Sequence, residues 1–363
     1  MSGAPLRVVV AGTSFGRIYL DAVRSAPERF ELAGVLARGS AYSGECAERH
    51  GVPLFTSVAQ VPDDVDIGCV VVRSGATGGP GSEIAQALLS RGVHVLQEHP
   101  VHAAEITECV RAARAGGAAY AVNTLYPDIQ PVRRFLAAAG AVRRRQDIRF
   151  IDAACNSQVA YPLLDVIGRA VGTLRPWSFA EPRTVAGQPF LSLNAVVGGV
   201  PVTLRVQNQV HPEDPDNHSF LMHRLALGCD GGVLSLADTH GPVLWNARMH
   251  APRDPAGRLV MRGAGTGRLA EPSSTVLGPA ATGTFHDVFG ELWPDAVRRS
   301  LFSLCADIDR PERRARSAQW ALGVSRSWAD LTTRLGMPEL IRPTEPEPLP
   351  ATELTAAVEG LEP

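Results

Sequence analysis

Short β-branched runs recur along the first 125 residues, each ending in glycine or polar residues, and helical stretches separate most of them. Leu6–Ala11, Phe30–Leu36, Asp66–Val72, Val93–Leu96 and Tyr120–Val122 read as strands. Arg17–Ser25, Ser82–Arg91 and Cys109–Ala115 read as helices, the last pattern starting again around Ala103. Apolar runs without polar alternation suit strands covered on both faces. Their alternation with helices leads to a doubly wound parallel sheet, which meets its ligands at the carboxyl ends of the strands.

The residues at those ends are therefore the candidates for chemistry. Gly12, Thr13, Ser14, Phe15 and Gly16 join the first strand to its helix. Glycines there let backbone N–H groups approach a pyrophosphate, and the helix start adds partial positive charge. The spacing departs from GxGxxG, since Ser14 sits where the second glycine would be and the turn is one residue shorter. An ordinary strand–helix turn is the competing reading. The second strand ends near Arg38 and Ser40, about where an NAD site places a ribose-reading acid. A guanidinium and a hydroxyl suit a 2′-phosphate, so the expected cofactor is NADP(H); a solvated surface arginine is the alternative. Arg73 and Ser74 follow the next strand and open a glycine-rich loop. Glu98, His99 and Pro100 end the following one, and Asn123, Thr124, Leu125 and Tyr126 end the last.

Beyond Pro127 the texture changes. Helical patterns at Ile129–Ala139 and Tyr161–Val171 flank a strand at Asp147–Asp152. Strand-like runs follow at Phe190–Val197, Val200–Gln209, Phe220–Leu227, Val233–Asp238 and Val243–His250. Gly198-Gly199 and the 229–232 stretch carry hairpin signals. These runs predict an open antiparallel sheet, followed by helices at Phe285–Ala306 and Pro311–Leu335. The expected organisation is a dinucleotide-binding domain over 1–124, a substrate and dimerisation domain over 125–335, and a Pro/Glu-rich tail over 336–363. A short helix is expected in that tail at Thr352–Leu361.

Composition narrows the function classes. A net charge of −2 gives no electrostatic reason to expect nucleic acid or an anionic membrane as partner. No apolar run approaches the roughly 20 residues that cross a bilayer. The N-terminal residues lack a secretory pattern. The six cysteines are scattered without a CxxC pair, which fits reduced thiols, a cytoplasmic location and no zinc site. His211, His218, His223, His240, His250 and His286 show no metal-ligand spacing either. Lysine is absent, and all 35 basic residues are arginine. No Schiff base and no lysine acid is available.

The strand tip Gln97–His102, together with Gly12–Gly16, Leu36–Ser40, Val71–Ser74 and Asn123–Pro127, resembles the Gfo/Idh/MocA oxidoreductases. Within them it is most similar to the thiazolinyl imine reductases of siderophore assembly lines such as those for yersiniabactin and pyochelin. The likeness is dense over roughly the first third of the chain and architectural beyond it. It implies an N-terminal Rossmann domain of α/β class and a C-terminal α+β domain with an open antiparallel sheet flanked by helices. It also implies NADPH-dependent reduction of a thiazoline to a thiazolidine on a carrier domain of a nonribosomal peptide synthetase, and a homodimer. In most of the family the middle residue of E-x-P is a catalytic lysine; here it is His99. GC pressure on a lysine codon most easily yields arginine, so histidine is a chemical choice. The family's D-x-x-x-H element is altered as well: Asp165 is present, but Arg169 stands where the histidine would be, which counts against sugar oxidation.

Hydride addition to a C=N carbon requires a proton for the nitrogen, and a positioned acid contributes about 10²- to 10⁴-fold. His99 is the first candidate and Tyr126 the second, as donor or as the group orienting His99. Glu98 and Asn123 join the cofactor-binding set, Asp165 is a candidate substrate contact, and His102 is expected only to start a helix. Two other readings stand beside this one. The first is an oxidoreductase of the same fold acting on another small substrate. The second is a redox-silent NADP(H)-binding regulator.

Overall fold

The computed structural model describes residues 4–72, 78–280 and 283–361. Its first sheet contains β1 (Leu6–Ala11), β2 (Phe30–Leu36), β3 (Leu54–Phe55), β4 (Ile67–Val70), β5 (His94–Glu98) and β6 (Tyr120–Asn123). All pairings are parallel, in the spatial order β3-β2-β1-β4-β5-β6. The chain reverses direction across the sheet between β1 and β4, the crevice where doubly wound sheets accept a ligand. Alternate residues enter separate cores: Val8, Val10, Cys69 and Leu96 on one face, Val9, Ala11, Val70 and Val95 on the other. That two-sided burial is why these strands carry uninterrupted apolar runs.

The crossovers are α1 (Gly16–Arg24), α2 (Ala41–His50), α3 (Pro80–Ser90) and α4 (Ala103–Gly116). Helix α2 and strand β3 were not expected. The ten residues of α2 bury only Ser43, Cys46 and Ala47, so no apolar period announces the helix.

The second sheet has eight strands. In chain order they are β7 (Ile148–Asn156), β8 (Trp177–Phe179), β9 (Leu191–Val197) and β10 (Val200–Gln207), then, beyond the short β11 (Gln209–Val210), β12 (His223–Cys229), β13 (Gly232–Leu236), β14 (Val243–Ala247) and β15 (Thr275–Val276). They lie in the order β15-β14-β13-β12-β7-β10-β9-β8. Every pairing is antiparallel except β7 with β10, a departure from the uniformly antiparallel sheet expected. The β9–β10 turn is Gly198-Gly199, with φ of +61° and +81°, the left-handed pair that a tight hairpin demands. Along β10, Val202, Leu204 and Val206 are buried while Thr203 and Arg205 face out. This one-sided burial marks a sheet covered on a single face.

Helices α5 (Gln130–Arg143) and α6 (Ala160–Val171) pack on the inner side of that sheet. A single turn, α7 (Phe285–Asp287), runs through a π-helical stretch (Val288–Leu292) into α8 (Trp293–Ile308), where one plain helix was expected. Helix α8 returns to pack on α1, and α9 (Pro311–Leu335) on α4, α6 and β6. One core therefore runs continuously from the first sheet into the second. β16 (Glu339–Leu340) pairs with β11, and α10 (Ala351–Glu359) is exposed along its length. Phe220, expected inside a strand, precedes β12 in an exposed loop, and β7 continues four residues past Asp152. Five of the six cysteines are buried and all are free, as core residues rather than ligands.

Candidate functional site

Parallel register brings the strand tips together. Ala11 lies beside Leu36 and Val70, Val70 beside Gln97, and Glu98 beside Asn123. The residues after them leave the sheet along one edge. Gly12 has φ +98°, and a Cβ there would sit 2.3 Å from the Val71 carbonyl oxygen, so only glycine fits. Gly16 has ordinary clearance and is not forced by space. Helix α1 starts without a side-chain cap and without an acidic residue in its first turn, and Thr13 and Ser14 are not buried. These open amides suit an anionic pyrophosphate. Phe15 turns inward, against Tyr19 and Trp293. Arg38 is exposed at the tip of β2 and makes no ion pair among the described residues. Ser40 is spent on its own helix, accepting the Ser43 N–H as the cap of α2. Arg73 and Ser74 lie outside the described residues.

At the tip of β5 the His99 Nδ1 is 2.9 Å from Glu98 Oε1 and 3.2 Å from the Asn123 carbonyl oxygen. Both neighbours are acceptors, so Nδ1 carries the proton. Nε2 makes no hydrogen bond among the described residues. Glu98 is held in turn: its other oxygen accepts from the Tyr19 hydroxyl and from Asn123 Nδ2 at 3.3 Å. Asn123 Nδ2 also reaches the Tyr19 oxygen at 2.6 Å, and Asn123 Oδ1 accepts from Ser300 Oγ at 2.9 Å. Burial, reinforced by the Glu98 charge, pushes the Tyr19 phenol up, so it stays a donor. A chain from Ser300 through Asn123 and Tyr19 thus fixes the carboxylate that orients His99. Glu98 and Asn123, expected at the cofactor, have at least this second task.

Tyr126 is brought to His99, their ring centres 6.1 Å apart and their planes at 70°. The device is a three-residue turn: Leu125 has φ +57° and ψ −60°, and the Tyr126 N–H donates to the Thr124 carbonyl at 2.6 Å. A buried leucine in that region is strained, which marks a position the surroundings over-determine. The Tyr126 hydroxyl has no partner among the described residues, and burial raises its pKa well above the usual phenol range, leaving it a neutral donor. His223 packs edge-on against Tyr126 from below at 4.7 Å. Its Nε2 is 2.9 Å from the Val159 carbonyl and its Nδ1 3.1 Å from Thr239 Oγ1, and burial pushes its pKa down to about 4. Tyr161 stacks on His99 at 5.7 Å, with planes 26° apart.

Asp165 stands apart from this group. Its oxygens are taken by Thr124 Oγ1 at 2.5 Å, Arg169 Nε at 2.6 Å and Trp320 Nε1 at 2.6 Å. It lines a polar cavity of about 350 Å³ behind the strand tip, with Asp128, Arg169 and Ser300. Burial raises the Asp128 carboxyl, which lies 3.0 Å from Ser300 Oγ. Asp165, the candidate substrate contact, is held in an ion pair with Arg169, and Tyr161, one helical turn earlier, stacks on His99. His102 caps α4 through a reciprocal box with Glu105, as expected of a helix start.

Tyr19, Tyr161 and Ser300 were not singled out from the sequence, and His223 was named only as one of six later histidines, some of which could line the cleft. His223 alone left a signal, because the buried phase of β12 (223, 225, 227) lands a histidine in the core. The other three depend on contacts 79 to 177 residues away in the chain, or on the stacking of separate elements.

A glycine turn, a carboxylate–imidazole pair and a phenol thus gather on one edge of the six-stranded parallel sheet, beside the second sheet. Residues 6–124 match the family model for the oxidoreductase family with NAD-binding Rossmann fold, GFO_IDH_MocA. Residues 146–246 match that for the thiazolinyl imine reductase Irp3-like C-terminal domain. The chain belongs to the Gfo/Idh/MocA oxidoreductases and joins their dinucleotide-binding domain to an Irp3-like C-terminal domain. No curated protein sequence matches it. Among solved structures, KijD10, a 3-ketoreductase from Actinomadura kijaniata in complex with TDP-benzene and NADP, is 16% identical over 93% of this chain and 100% of its own, with a TM-score of 0.63. GenD2 from gentamicin A biosynthesis, in complex with NAD, is 13% identical over 91% and 94%, at 0.63. A dehydrogenase (MviM) from Clostridium difficile is 12% identical over 90% and 99%, at 0.61. At these identities the likeness is one of fold. Among the described residues, no helix is long and apolar enough to cross a membrane and no group of side chains could hold a metal ion.

Proposed function

We propose that the protein is an NADPH-dependent imine reductase that converts a thiazoline to a thiazolidine while the substrate hangs on a carrier domain of a nonribosomal peptide synthetase. The observation carrying this reading is the His99 imidazole, pinned at Nδ1 by Glu98, its Nε2 without a hydrogen bond among the described residues and its ring 6.1 Å from that of Tyr126. The Irp3-like match supports the C=N substrate class. The bound cofactor would supply a hydride to the imine carbon. The chain supplies the rest. Gly12, Thr13, Ser14, Phe15 and Gly16 would seat the pyrophosphate and Arg38, with Ser40, the 2′-phosphate, while Arg73, Ser74, Glu98 and Asn123 complete the proposed cofactor-binding set. Glu98 holds His99 in the tautomer whose Nε2, once protonated, delivers a proton to the ring nitrogen as the C=N bond becomes a C–N single bond. The neutral Tyr126 hydroxyl is the second donor and polarises the same nitrogen. Tyr161 limits the rotation of the imidazole.

The same reading divides the chain into a cofactor domain over 1–124, a substrate and dimerisation domain over 125–335 and a tail over 336–363, acting as a cytoplasmic homodimer. NADPH consumption with a thiazoline thioester mimic tests the reaction. Binding of NADPH without turnover of any substrate would favour a regulator instead. Arg38→Ala should raise the KM for NADPH by about tenfold, as expected for loss of one charge-assisted contact, and leave that for NADH nearly unchanged. An equal effect on both would remove Arg38 from the phosphate site.

A further inference from the structure

We propose that Asp128 is a positioning residue for the Glu98–His99 pair, acting by competing with Asn123 for the single hydroxyl proton of Ser300. The proposal rests on the reading of His99 as the proton donor and adds a control on that donor.

Asp128 closes the three-residue turn that carries Tyr126, and its backbone N–H donates to the Leu125 carbonyl at 3.0 Å. Among the described residues its carboxyl has one hydrogen-bond partner, Ser300 Oγ of α8 at 3.0 Å. The same oxygen lies 2.9 Å from Asn123 Oδ1 and 3.2 Å from the Ala296 carbonyl oxygen. Three acceptors thus surround a hydroxyl that has one proton to give. The Asn123 amide cannot turn over to resolve the conflict. Its Oδ1 accepts the Leu125 N–H at 2.9 Å, while its Nδ2 reaches the Tyr19 oxygen at 2.6 Å and Glu98 Oε2 at 3.3 Å.

The proton on Asp128 decides between two arrangements. A neutral carboxyl donates to Ser300 Oγ and leaves the Ser300 proton for Asn123. A carboxylate takes that proton itself, because a charge-assisted bond is roughly twice as strong as a neutral one. Ser300 Oγ and Asn123 Oδ1 then face each other as two oxygens with no proton between them. The amide that steadies Glu98 loses its anchor on α8, and Glu98 orients His99 less firmly.

The surroundings hold both states within reach. Burial is the largest influence and raises the Asp128 carboxyl above its ordinary range, helped by the Asp165 charge on α6. The Ser300 hydroxyl, Arg169 on α6 and Arg133 on α5 act against it. Asp307 on α8 and Arg316 on α9 line the same cavity. Asp165 is paired with Arg169 and Asp307 with Arg313, so Asp128 is the one carboxyl lining that cavity without an ion pair among the described residues.

Histidine NMR of the full-length protein tests this without turnover. The His99 ring resonance, assigned by its loss in His99→Asn, should show a second inflection at the pH where Asp128 ionises, besides that of the ring itself. Asp128→Asn, whose Nδ2 can donate to Ser300 Oγ at every pH, should remove the second inflection. Ser300→Ala, which cuts the link, should remove it as well. In turnover of the thiazoline mimic, the ratio of kcat in Asp128→Asn to that of the wild type should rise by roughly two- to tenfold from the acid to the alkaline side, as expected for one neutral hydrogen bond. A second inflection that survives Ser300→Ala would make the coupling one of charge through space and overturn the proposal. A single inflection in the wild type, or a second one unchanged by Asp128→Asn, would overturn it too. Loss of the second inflection in both variants of a protein that reduces no thiazoline would leave the coupling standing and remove the reductase reading.

Discussion

His99 and His223 flank the same phenol, at 6.1 and 4.7 Å between ring centres, and the fold treats them in opposite ways. His99 has one nitrogen tied to a carboxylate and a carbonyl and the other without a hydrogen bond among the described residues. His223 has both nitrogens engaged, by Thr239 and the Val159 carbonyl, inside a core that disfavours its charge. A ring with a free nitrogen and a nearby anion can gain and lose a proton during a reaction. A ring with both nitrogens engaged inside a core can only support its neighbour. Histidine type alone does not separate these roles; the count of satisfied nitrogens does.

The largest expected effect breaks the pair on its reactive side. His99→Ala should lower kcat by about 10²- to 10⁴-fold, the usual contribution of a positioned acid, with the NADPH KM little changed. His99→Asn should do the same, since an amide fills the space but cannot donate that proton at neutral pH. Wild-type turnover in both, measured with the thiazoline mimic, would move the acid elsewhere.

The opposite side is broken by pH. His223 has a pKa of about 4 in the native chain, against an ordinary value of 6.5. Between those values the unfolded chain binds a proton that the native chain refuses, so stability falls as pH drops. The contribution is fully present above about 6.5, is lost progressively below it, and is gone once the pH passes below about 4. The gap is worth at most about 3 kcal/mol. His223→Gln should therefore lower stability at pH 7 and flatten its fall between pH 7 and 5, read from urea midpoints. A variant that keeps the wild-type slope would mean that this ring does not control the acid limb.

The two histidines also show how far a chain can be read before its structure is known. His99 was legible because parallel sheets expose their strand ends, so a polar residue closing an apolar run has a known address. The same logic placed Arg38, Asn123 and Tyr126 on one edge, although that Arg38 makes no ion pair among the described residues is a fact of three dimensions. His223 opens a strand whose buried phase was readable, yet its neighbours Val159 and Thr239 come from separate elements. Helix α2 escaped because it buries so little. The parallel β7–β10 pair escaped because hairpin signals fix only adjacent strands, and β7 reaches its partners from outside the meander. That Tyr161 rather than another residue of α6 stacks on His99 was not legible either. Which turn of α6 faces the cleft depends on how α6 settles against α5 and α9, and no local pattern encodes that.

Tyr126 sharpens the comparison most finely, because it touches both rings. Its hydroxyl is neutral at any working pH and has no partner among the described residues, and its backbone is set by the strained Leu125 turn. If His99 is the acid and Tyr126 only polarises the nitrogen, Tyr126→Phe removes one hydrogen bond that forms in the transition state. That costs about tenfold in kcat. The ring itself stays between the imidazoles, so the melting temperature should move little. A loss as deep as that of His99→Ala, with no further loss in the double variant, would make the two groups a single donating unit. A deeper loss in Tyr126→Phe than in His99→Ala would reverse the assignment, leaving His99 to orient the phenol as His223 supports it from below.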